Sequence, residues 1–386
     1  MNVDQISTIE EYAEELKKVS GKVFVNEWNR HMAGTEWPEP VVAFNTGANK
    51  DSIKHFVDGI GDLNPLFRNR EYAKKTKYNC IIAPPTYLYS IVYGHYPDPP
   101  PPKSFSIPLY GGDSFECYNP ICEGDEIDWK TTFPTRLEIK KNKEGKSVLF
   151  IYGTIEFFRN KGGIPLARQN FWVIVVKSWE APDKEGNVKP VYSAEEIQEI
   201  YRIQDNEEIR GSKPRYWEDV QINEELNPIV RGPLTAMDGV AWIKGGVGEF
   251  YFCSSRMYRF INKATGWGDY DPDLKVFLNF HEHSATLAGF GSLKSAYIGM
   301  FLTNWMGDDG FIWKMKTTQM RGGGNIGDIF WCKGKVKNKY EDQGRYCVDI
   351  DCWLENQRRE ILTPGSATII LPSRNNVNIK YPSPTI

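Results

Sequence analysis

The sequence predicts an α+β protein built from two similar halves, each combining helices with an antiparallel sheet. In each half, a region with helical periodicity of apolar residues precedes four strand candidates that are separated by turns. A Gly-Asp pair precedes a strand candidate in each half, at Gly124-Asp125 and at Gly327-Asp328, an offset of 327 − 124 = 203 residues. This repeat is too long for a solenoid, so it indicates duplicated domains.

Local patterns assign the individual elements. Ile53, Phe56 and Val57 recur at helical spacing, whereas residues 147–158 alternate as a strand does. Thr8, together with Ser7, provides a cap for the first helix. The predicted helical segments are 7–19, 53–60, a short piece from about 69, 87–93, 193–201, 235–243 and part of 274–297, with the apolar run 299–305 after it. The predicted strands are 41–44, 105–118, 127–139, 147–158, 165–176, 311–320, 329–338, 345–354 and 360–371.

A polar and charged segment, residues 177–215, separates the two halves. We therefore predict an N-terminal domain at 1–178, a linker at 179–215 and a C-terminal domain at 216–386. A chain of 386 residues is long enough for two domains with substantial cores.

Composition narrows the function classes. A net charge of −3 gives no reason to expect nucleic acid or a membrane surface as a partner. The seven cysteines have the spacing of neither a zinc site nor a disulfide framework, and the N-terminus lacks an apolar signal core, so a cytoplasmic protein is expected. No dinucleotide, P-loop or serine-nucleophile motif occurs, so no cofactor is predicted. The abundant aromatic residues either fill the core or line an apolar pocket.

One stretch carries a family resemblance. Gly61-Asp62-Leu63-Asn64-Pro65-Leu66-Phe67 is followed by Glu71-Tyr72-Ala73 and by Ile81-Ile82-Ala83-Pro84-Pro85. Together these motifs resemble the MaoC-like acyl dehydratase and hydratase family over Gly61 to Thr86. The resemblance implies a double hot-dog fold, in which two helices are each wrapped by an antiparallel sheet and the two sheets join edge to edge. Phe67 stands where that family carries its catalytic His, as in halves that hold substrate without acting on it.

The resemblance also implies candidate site residues. Family members hydrate an enoyl thioester with an Asp and a His, and hold the thioester oxygen at a helix N-terminus. In the second half, Glu249 and Ser254 stand for the Asp and the His, and His281-Glu282-His283 resembles a motif of two-domain relatives. The candidate catalytic residues are His281, Glu249, Asp62 and His283. The candidate substrate-binding residues are Asn64, Phe67, Pro84, Tyr297 and Asn304.

Each candidate also has a structural explanation. Either His can be a helix cap or a core residue, Asp62 can be a turn-former, and Glu249 can be a solvated carboxylate. The pair His281 and His283 lacks an obvious third ligand, so no metal is expected. Asp308-Asp309-Gly310 lacks the order of a calcium loop and is typical of a tight turn.

The predicted function is the reversible hydration of a 2-enoyl-CoA to a 3-hydroxyacyl-CoA, with a bulky or cyclic acyl group. Two alternatives stay open: an acyl-CoA thioesterase, and a non-catalytic subunit that needs a partner with an intact motif. The expected partners are an acyl-CoA thioester and either a second copy of this chain or another hot-dog chain.

Overall fold

The structure of this chain is a computed structural model that describes residues 5–25, 45–92, 99, 101–102, 104–106, 108–159, 163–177, 190–246, 291–320 and 325–384. All structural statements below concern these residues. The predicted strand at 41–44 and the predicted helical residues 274–290 lie outside them.

Helices occupy the positions that capping and periodicity predict. Thr8 and Asn49 each form a capping box, and Ser193 does the same for the helix of the linker. The α-helices are α1 (Ile9–Lys17), α2 (Lys50–Gly59), α3 (Pro65–Arg68), α4 (Arg70–Ala73), α5 (Ala194–Asp205), α6 (Ala236–Gly246) and α7 (Gly291–Met306). The apolar run 299–305 is part of α7, a single helix in which every residue after Gly291 is buried.

The predicted helical run 87–93 is instead a 3-10 helix, Pro85–Ser90. Pro84 and Pro85 remove two backbone N–H donors at its start. The N–H of Tyr87 bonds to the carbonyl of Pro84, three residues back, at 2.9 Å, which is the hydrogen-bond pattern of a 3-10 helix. The first half consequently has a much shorter element here than α7 in the second half.

The described residues contain twelve strands, ten of which form one antiparallel sheet. The strands are β1 (Val23–Val25), β2 (Ile82–Ala83), β3 (Leu109–Cys117), β4 (Ile121–Cys122), β5 (Ile127–Lys141), β6 (Ser147–Arg159), β7 (Ile164–Val176), β8 (Ile229–Arg231), β9 (Phe311–Thr318), β10 (Phe330–Asp342), β11 (Arg345–Asn356) and β12 (Ile361–Leu371). The order in the large sheet is β1-β5-β6-β7-β3-β9-β12-β11-β10-β8, and β2 pairs only with β4. All predicted strands other than the one at 41–44 are thereby confirmed, with bounds that shift by up to four residues.

The two half-sheets meet where β3 pairs with β9. Gly112 lies opposite Thr318 and Glu116 lies opposite Lys314. Each half-sheet thereby covers an edge of the other, which removes two unpaired edges from solvent. This is the edge-to-edge junction that the double hot-dog prediction requires.

Helices α2 and α6 bring the two halves into a second contact. A Cβ atom on Gly59 would lie only 2.9 Å from the carbonyl oxygen of Ala241, so this close approach requires glycine. The linker also packs: Ile200 on α5 is buried together with Val230 and Ile329. The boundaries at 178 and 216 stay a prediction, but residues 190–215 are part of the folded body.

Many aromatic side chains of the described residues fill the core. Trp242, Tyr12, Tyr87, Tyr89 and Tyr297 are among the largest fully buried side chains. In this part of the chain, buried aromatic rings contribute to packing.

Candidate functional site

The motif turn at residues 61–67 is built by two successive side-chain caps. Gly61 adopts a φ of 63°, which ends the run of α2. The N–H of Asn64 donates to Oδ1 of Asp62 at 2.9 Å, and the N–H of Leu66 donates to Oδ1 of Asn64 at 3.0 Å. Asn64 thereby caps α3, whose first residue is Pro65. The sequence Asp-Leu-Asn-Pro thus dictates the turn locally.

Asp62 is a buried carboxyl with one free oxygen. Its exposed fraction is 0%, and Oδ2 has no hydrogen-bond partner among the described residues. Burial raises the pKa of Asp62 to about 6, against the lowering effect of the Asn64 N–H and of Arg231. A carboxyl in this range can both accept and release a proton near neutral pH.

An apolar cleft lies beside this turn, between the two halves. It encloses about 560 Å³ of space, solvent at its mouth included. Its wall consists of Asn64, Leu66, Phe67, Tyr78, Ile82, Ala83, Pro85, Leu88, Cys117, Asn119, Pro120, Ile121, Leu166, Ala167, Thr303, Met306, Gly307, Gly310, Phe311 and Ile312. Most of these side chains are apolar, so the cleft suits an apolar chain rather than a charged ligand.

The wall of the cleft supplies no proton-transfer group that works near neutral pH. Burial raises the pKa of Cys117 to about 12 and the pKa of Tyr78 well above its ordinary value. Phe67, which is 3% exposed, occupies the position of the family's His and carries no proton to transfer. Pro85 begins the 3-10 helix at the cleft and has no N–H with which to bind an oxyanion.

The second half approaches the motif turn through Arg231 on β8. Its guanidinium lies against the carbonyls of Ile60 and Gly61, at 3.4 and 3.3 Å, and pairs with Glu207 at 2.6 Å. Asn304 on α7 donates to Glu207 at 2.9 Å. A network from the second half and the linker therefore lies next to Asp62.

The first described residues of α7 carry a different set of polar groups. Ser292 is fully buried and its Oγ has no partner among the described residues. Ser295, one turn further on, lies 2.7 Å from Thr317, whose hydroxyl contacts the buried Asp113 at 3.2 Å.

The predicted substrate-binding residues separate in the structure. Asn64 and Phe67 line the cleft, whereas Pro84 lies between the two lining residues Ala83 and Pro85. Tyr297 is buried with its ring 6.5 Å from that of Phe330, away from the cleft wall. Asn304 likewise does not line the cleft and instead binds Glu207.

Among the candidate catalytic residues, only Asp62 belongs to the described part of the chain. Glu249, His281 and His283 lie outside it. The structure adds two residues that sequence reasoning missed, Glu207 and Arg231. Arg231 directly follows the apolar pair Ile229-Val230 in β8, and a charge at the end of a buried strand was the available signal.

Asp308 does belong to a tight turn, as the sequence predicts. Its Oδ2 accepts a hydrogen bond from the hydroxyl of Tyr72 at 2.6 Å, and this contact links the two halves. No group of three His, Cys, Asp or Glu side chains that could hold a metal ion occurs among the residues that the structure describes. Within the same residues, no helix is both long and apolar enough to cross a membrane.

Residues 42–167 match the family model described as FAS1-like, dehydratase domain region. A UPF0336 protein of Parafrankia sp. (strain EAN1pec) is 31% identical over 119 residues, which are 30% of this chain and 77% of that protein. A UPF0336 protein of Thermobifida fusca (strain YX) is 33% identical over 110 residues, 27% of this chain and 69% of that protein.

Two solved structures resemble the fold over nearly the whole chain. A MaoC-like dehydratase superimposes with a TM-score of 0.55 and 14% identity, covering 92% of this chain and 99% of that one. A MaoC domain protein dehydratase from Chloroflexus aurantiacus gives a TM-score of 0.55 and 12% identity, covering 97% and 99%. Both halves of the chain therefore find a counterpart in these structures.

Proposed function

We propose a function from the premise that the chain belongs to the MaoC-like dehydratase family, in its two-domain form with a double hot-dog fold. Such a chain is a hydratase or dehydratase in general terms. We propose more specifically that it interconverts a 2-enoyl-CoA and a 3-hydroxyacyl-CoA.

The observation that carries this proposal is the position of Asp62 directly behind the wall of an apolar cleft. Asn64 lines the cleft and is bonded through its N–H to the carboxylate of Asp62. A proton-transfer group with a pKa of about 6 thus lies beside a space suited to an acyl chain. The mainly apolar lining of the cleft suits the hydrocarbon part of an acyl group, and a bulky or cyclic acyl group is the form that we propose.

The reaction adds one water across the double bond. The water oxygen bonds to C3, its proton passes to a base, and an acid delivers a proton to C2, so that no other reactant is consumed. Negative charge builds on the thioester oxygen during the addition and requires hydrogen-bond donors. In the reverse direction the same groups remove water from the 3-hydroxyacyl thioester.

We assign to the second half the proton-transfer group and the thioester-oxygen donors that are missing around Phe67 and Pro85. In this proposal His281, helped by Asp62 or Glu249, handles the water and its proton, and His283 is the next candidate. As the family resemblance implies, backbone N–H groups at a helix N-terminus are the donors for the thioester oxygen. Asn64 and Phe67 hold the acyl chain beside Pro84, whereas Tyr297 and Asn304 lie outside the cleft wall and contact Phe330 and Glu207 instead.

A second candidate function is favoured by one observation in the first half. Phe67 and Pro85 together remove the proton carrier and a backbone donor from this cleft. A chain with such a cleft could serve as the substrate-holding member of a complex with another hot-dog chain that carries the intact motif. This candidate predicts binding of the thioester without turnover by the purified chain.

The test is incubation of the purified chain with a panel of 2-enoyl-CoA thioesters, aliphatic to cyclic, with mass analysis of the products. His281→Ala is the informative variant. We expect a product whose mass exceeds that of the substrate by one water molecule, and we expect the variant not to form it. Release of free CoA without a hydrated product would establish a thioesterase instead. Binding without turnover would favour the partner-dependent subunit.

A further inference from the structure

Arg231 makes an unusual set of contacts for a residue of the second half. Its Nε and Nη2 lie 3.4 and 3.3 Å from the carbonyl oxygens of Ile60 and Gly61, the two residues before Asp62. Its Nη1 donates to its own strand at the carbonyl of Val230, at 2.7 Å. All three guanidinium nitrogens are therefore engaged, and two of them reach across to the first half.

Glu207 completes the arrangement as the counter-ion. Its Oε2 accepts from Nη1 of Arg231 at 2.6 Å and its Oε1 accepts from Nη2 at 3.1 Å, which is bidentate pairing. Oε1 also accepts from Nδ2 of Asn304 at 2.9 Å. The side chains of Arg231 and Glu207 are only 13% and 12% exposed. Four segments that are distant in sequence thus meet at one ion pair.

Burial makes this pair costly to break. A buried ion pair contributes little net stability, but removal of one partner leaves the other as an uncompensated charge. Since such a pair contributes little net stability, we attribute its presence to a requirement for geometry at this point. The geometry it fixes is that of the carbonyls at 60 and 61, which lead directly into Asp62.

We propose that Arg231 is a positioning residue that the second half contributes to the Asp62 turn, with Glu207 as its counter-ion. The inference deepens the proposed function, because it rests on a role of Asp62 in that reaction. Arg231 does not touch the cleft and acts only through the turn that it holds. The two halves would then form one site across their interface, rather than two independent sites.

The charged groups around Asp62 give the inference a distinctive signature. Arg231 and Arg68 lower the pKa of Asp62, whereas Glu207 raises it. Arg68 reaches Asp62 from α3, where it donates to the backbone carbonyl of Asp62 at 3.1 Å and pairs with Asp58 at 2.7 Å. Removing the charge of Arg231 and removing that of Glu207 should therefore move the titration of Asp62 in opposite directions, although both changes break the same ion pair.

The experiment compares Arg231→Gln and Glu207→Gln in the full chain. The carboxyl carbon of Asp62 is followed by NMR in protein labelled with ¹³C at the aspartate carboxyls, and Asp62→Asn assigns the resonance. We expect the pH midpoint of the Asp62 titration to rise in Arg231→Gln and to fall in Glu207→Gln. With 2-enoyl-CoA substrate, Arg231→Gln should lower kcat by roughly tenfold to a hundredfold with KM within about twofold, because the turn is displaced rather than the cleft. Arg231→Lys should restore the midpoint more than kcat.

Arg215→Gln is the matched control. Arg215 is also a buried arginine that pairs with a carboxylate, Glu224 at 3.2 Å, and donates to a backbone carbonyl, that of Trp305 at 2.8 Å. Its loss should leave the Asp62 midpoint unchanged. An unchanged midpoint in a folded Arg231→Gln protein, or shifts of the same sign in both variants, would overturn the inference. If the midpoints shift as expected but no thioester is hydrated, the proposed function fails while the positioning role of Arg231 stands.

Discussion

The two halves of this chain agree in their strand turns and differ in their helices. Gly124 and Gly327 adopt φ values of 97° and 94°, and the Asp that follows each glycine pairs with an arginine at or just after the end of the second strand that follows, Arg159 and Arg358. In contrast, the short 3-10 helix Pro85–Ser90 of the first half corresponds to a buried helix, Gly291–Met306, in the second.

The two halves therefore share the design of their strand turns and differ in the elements that lie beside the cleft. A strand turn has only to satisfy its own backbone groups, and the Gly-Asp pair does so in both halves. The elements beside the cleft have to provide donors and proton carriers as well. The first half retains Asp62 and Asn64 but has Phe67 and Pro85 where a proton carrier and an N–H donor would act.

The largest expected effect concerns Asp62. Asp62→Asn keeps the shape and the acceptor for the Asn64 N–H, but it cannot exchange a proton. We expect kcat/KM for 2-enoyl-CoA hydration to fall by about 10²–10³-fold, measured by steady-state kinetics. Asp51→Asn, on the exposed side of α2, is the control and should remain within about twofold. Equal activity of the two variants would reduce Asp62 to a turn-former.

Although Asp62→Asn should lower activity, we expect it to raise the free energy of unfolding near neutral pH. Burial raises the pKa of Asp62 from its ordinary value of 3.8 to about 6, so the folded protein holds the proton more tightly than the unfolded chain. The free energy of unfolding should therefore fall as the pH rises from about 4 to about 6, by about 3 kcal/mol from this group alone.

Asp62→Asn cannot ionise and should lose this dependence. At pH 7.5 we expect the variant to be more stable than the parent by about 1–2 kcal/mol, the new amide group costing part of the gain. At pH 4 the advantage should disappear. Urea unfolding at the two pH values measures both quantities, and a variant that is less stable at pH 7.5 would contradict the account of a buried, ionised carboxylate.

The Gly-Asp turns at 124–125 and 327–328 should lose similar amounts of stability on substitution if the two halves arose by duplication. Asp125 accepts from Nε of Arg159 at 2.8 Å and from the N–H of Cys122, and Asp328 accepts from Gln357 at 2.7 Å and from the N–H of Asn325. We expect Asp125→Ala and Asp328→Ala each to lower the free energy of unfolding by about 1–3 kcal/mol, without a change in KM. Urea unfolding measures both values. If the free energy of unfolding fell strongly in one variant and not in the other, the two turns would not have the same structural role.

The smallest expected effect is that of restoring the family's His. Phe67→His introduces a proton carrier into the cleft, but Pro85 still offers no N–H to the thioester oxygen. Hydration should therefore increase less than about tenfold in steady-state assays. Phe67→Tyr is the size-matched control. A hundredfold increase specific to His would show that the first-half cleft needs only this one residue, and it would contradict the division of roles between the halves.

The sequence was sufficient for most of the fold, because the long strands have strict alternation and the turns carry glycine at fixed places. It was also sufficient for Asp62 and Asn64, whose turn is determined by local side-chain caps. It failed for the 3-10 helix Pro85–Ser90, because a short apolar run does not distinguish a 3-10 helix from an α-helix. It could not predict the pairing of Arg231 with Glu207, or the contribution of Met306 and Phe311 to the cleft, because these contacts depend on how the two halves pack.

The most direct test of the account is hydration of a 2-enoyl-CoA in ¹⁸O-labelled water, followed by mass analysis of the thioester, for the parent chain, Asp51→Asn and Asp62→Asn. The account predicts one labelled oxygen on C3 in the first two proteins and almost none in the third. Label incorporated equally by Asp62→Asn, or label recovered in a free carboxylic acid together with free CoA, would contradict it.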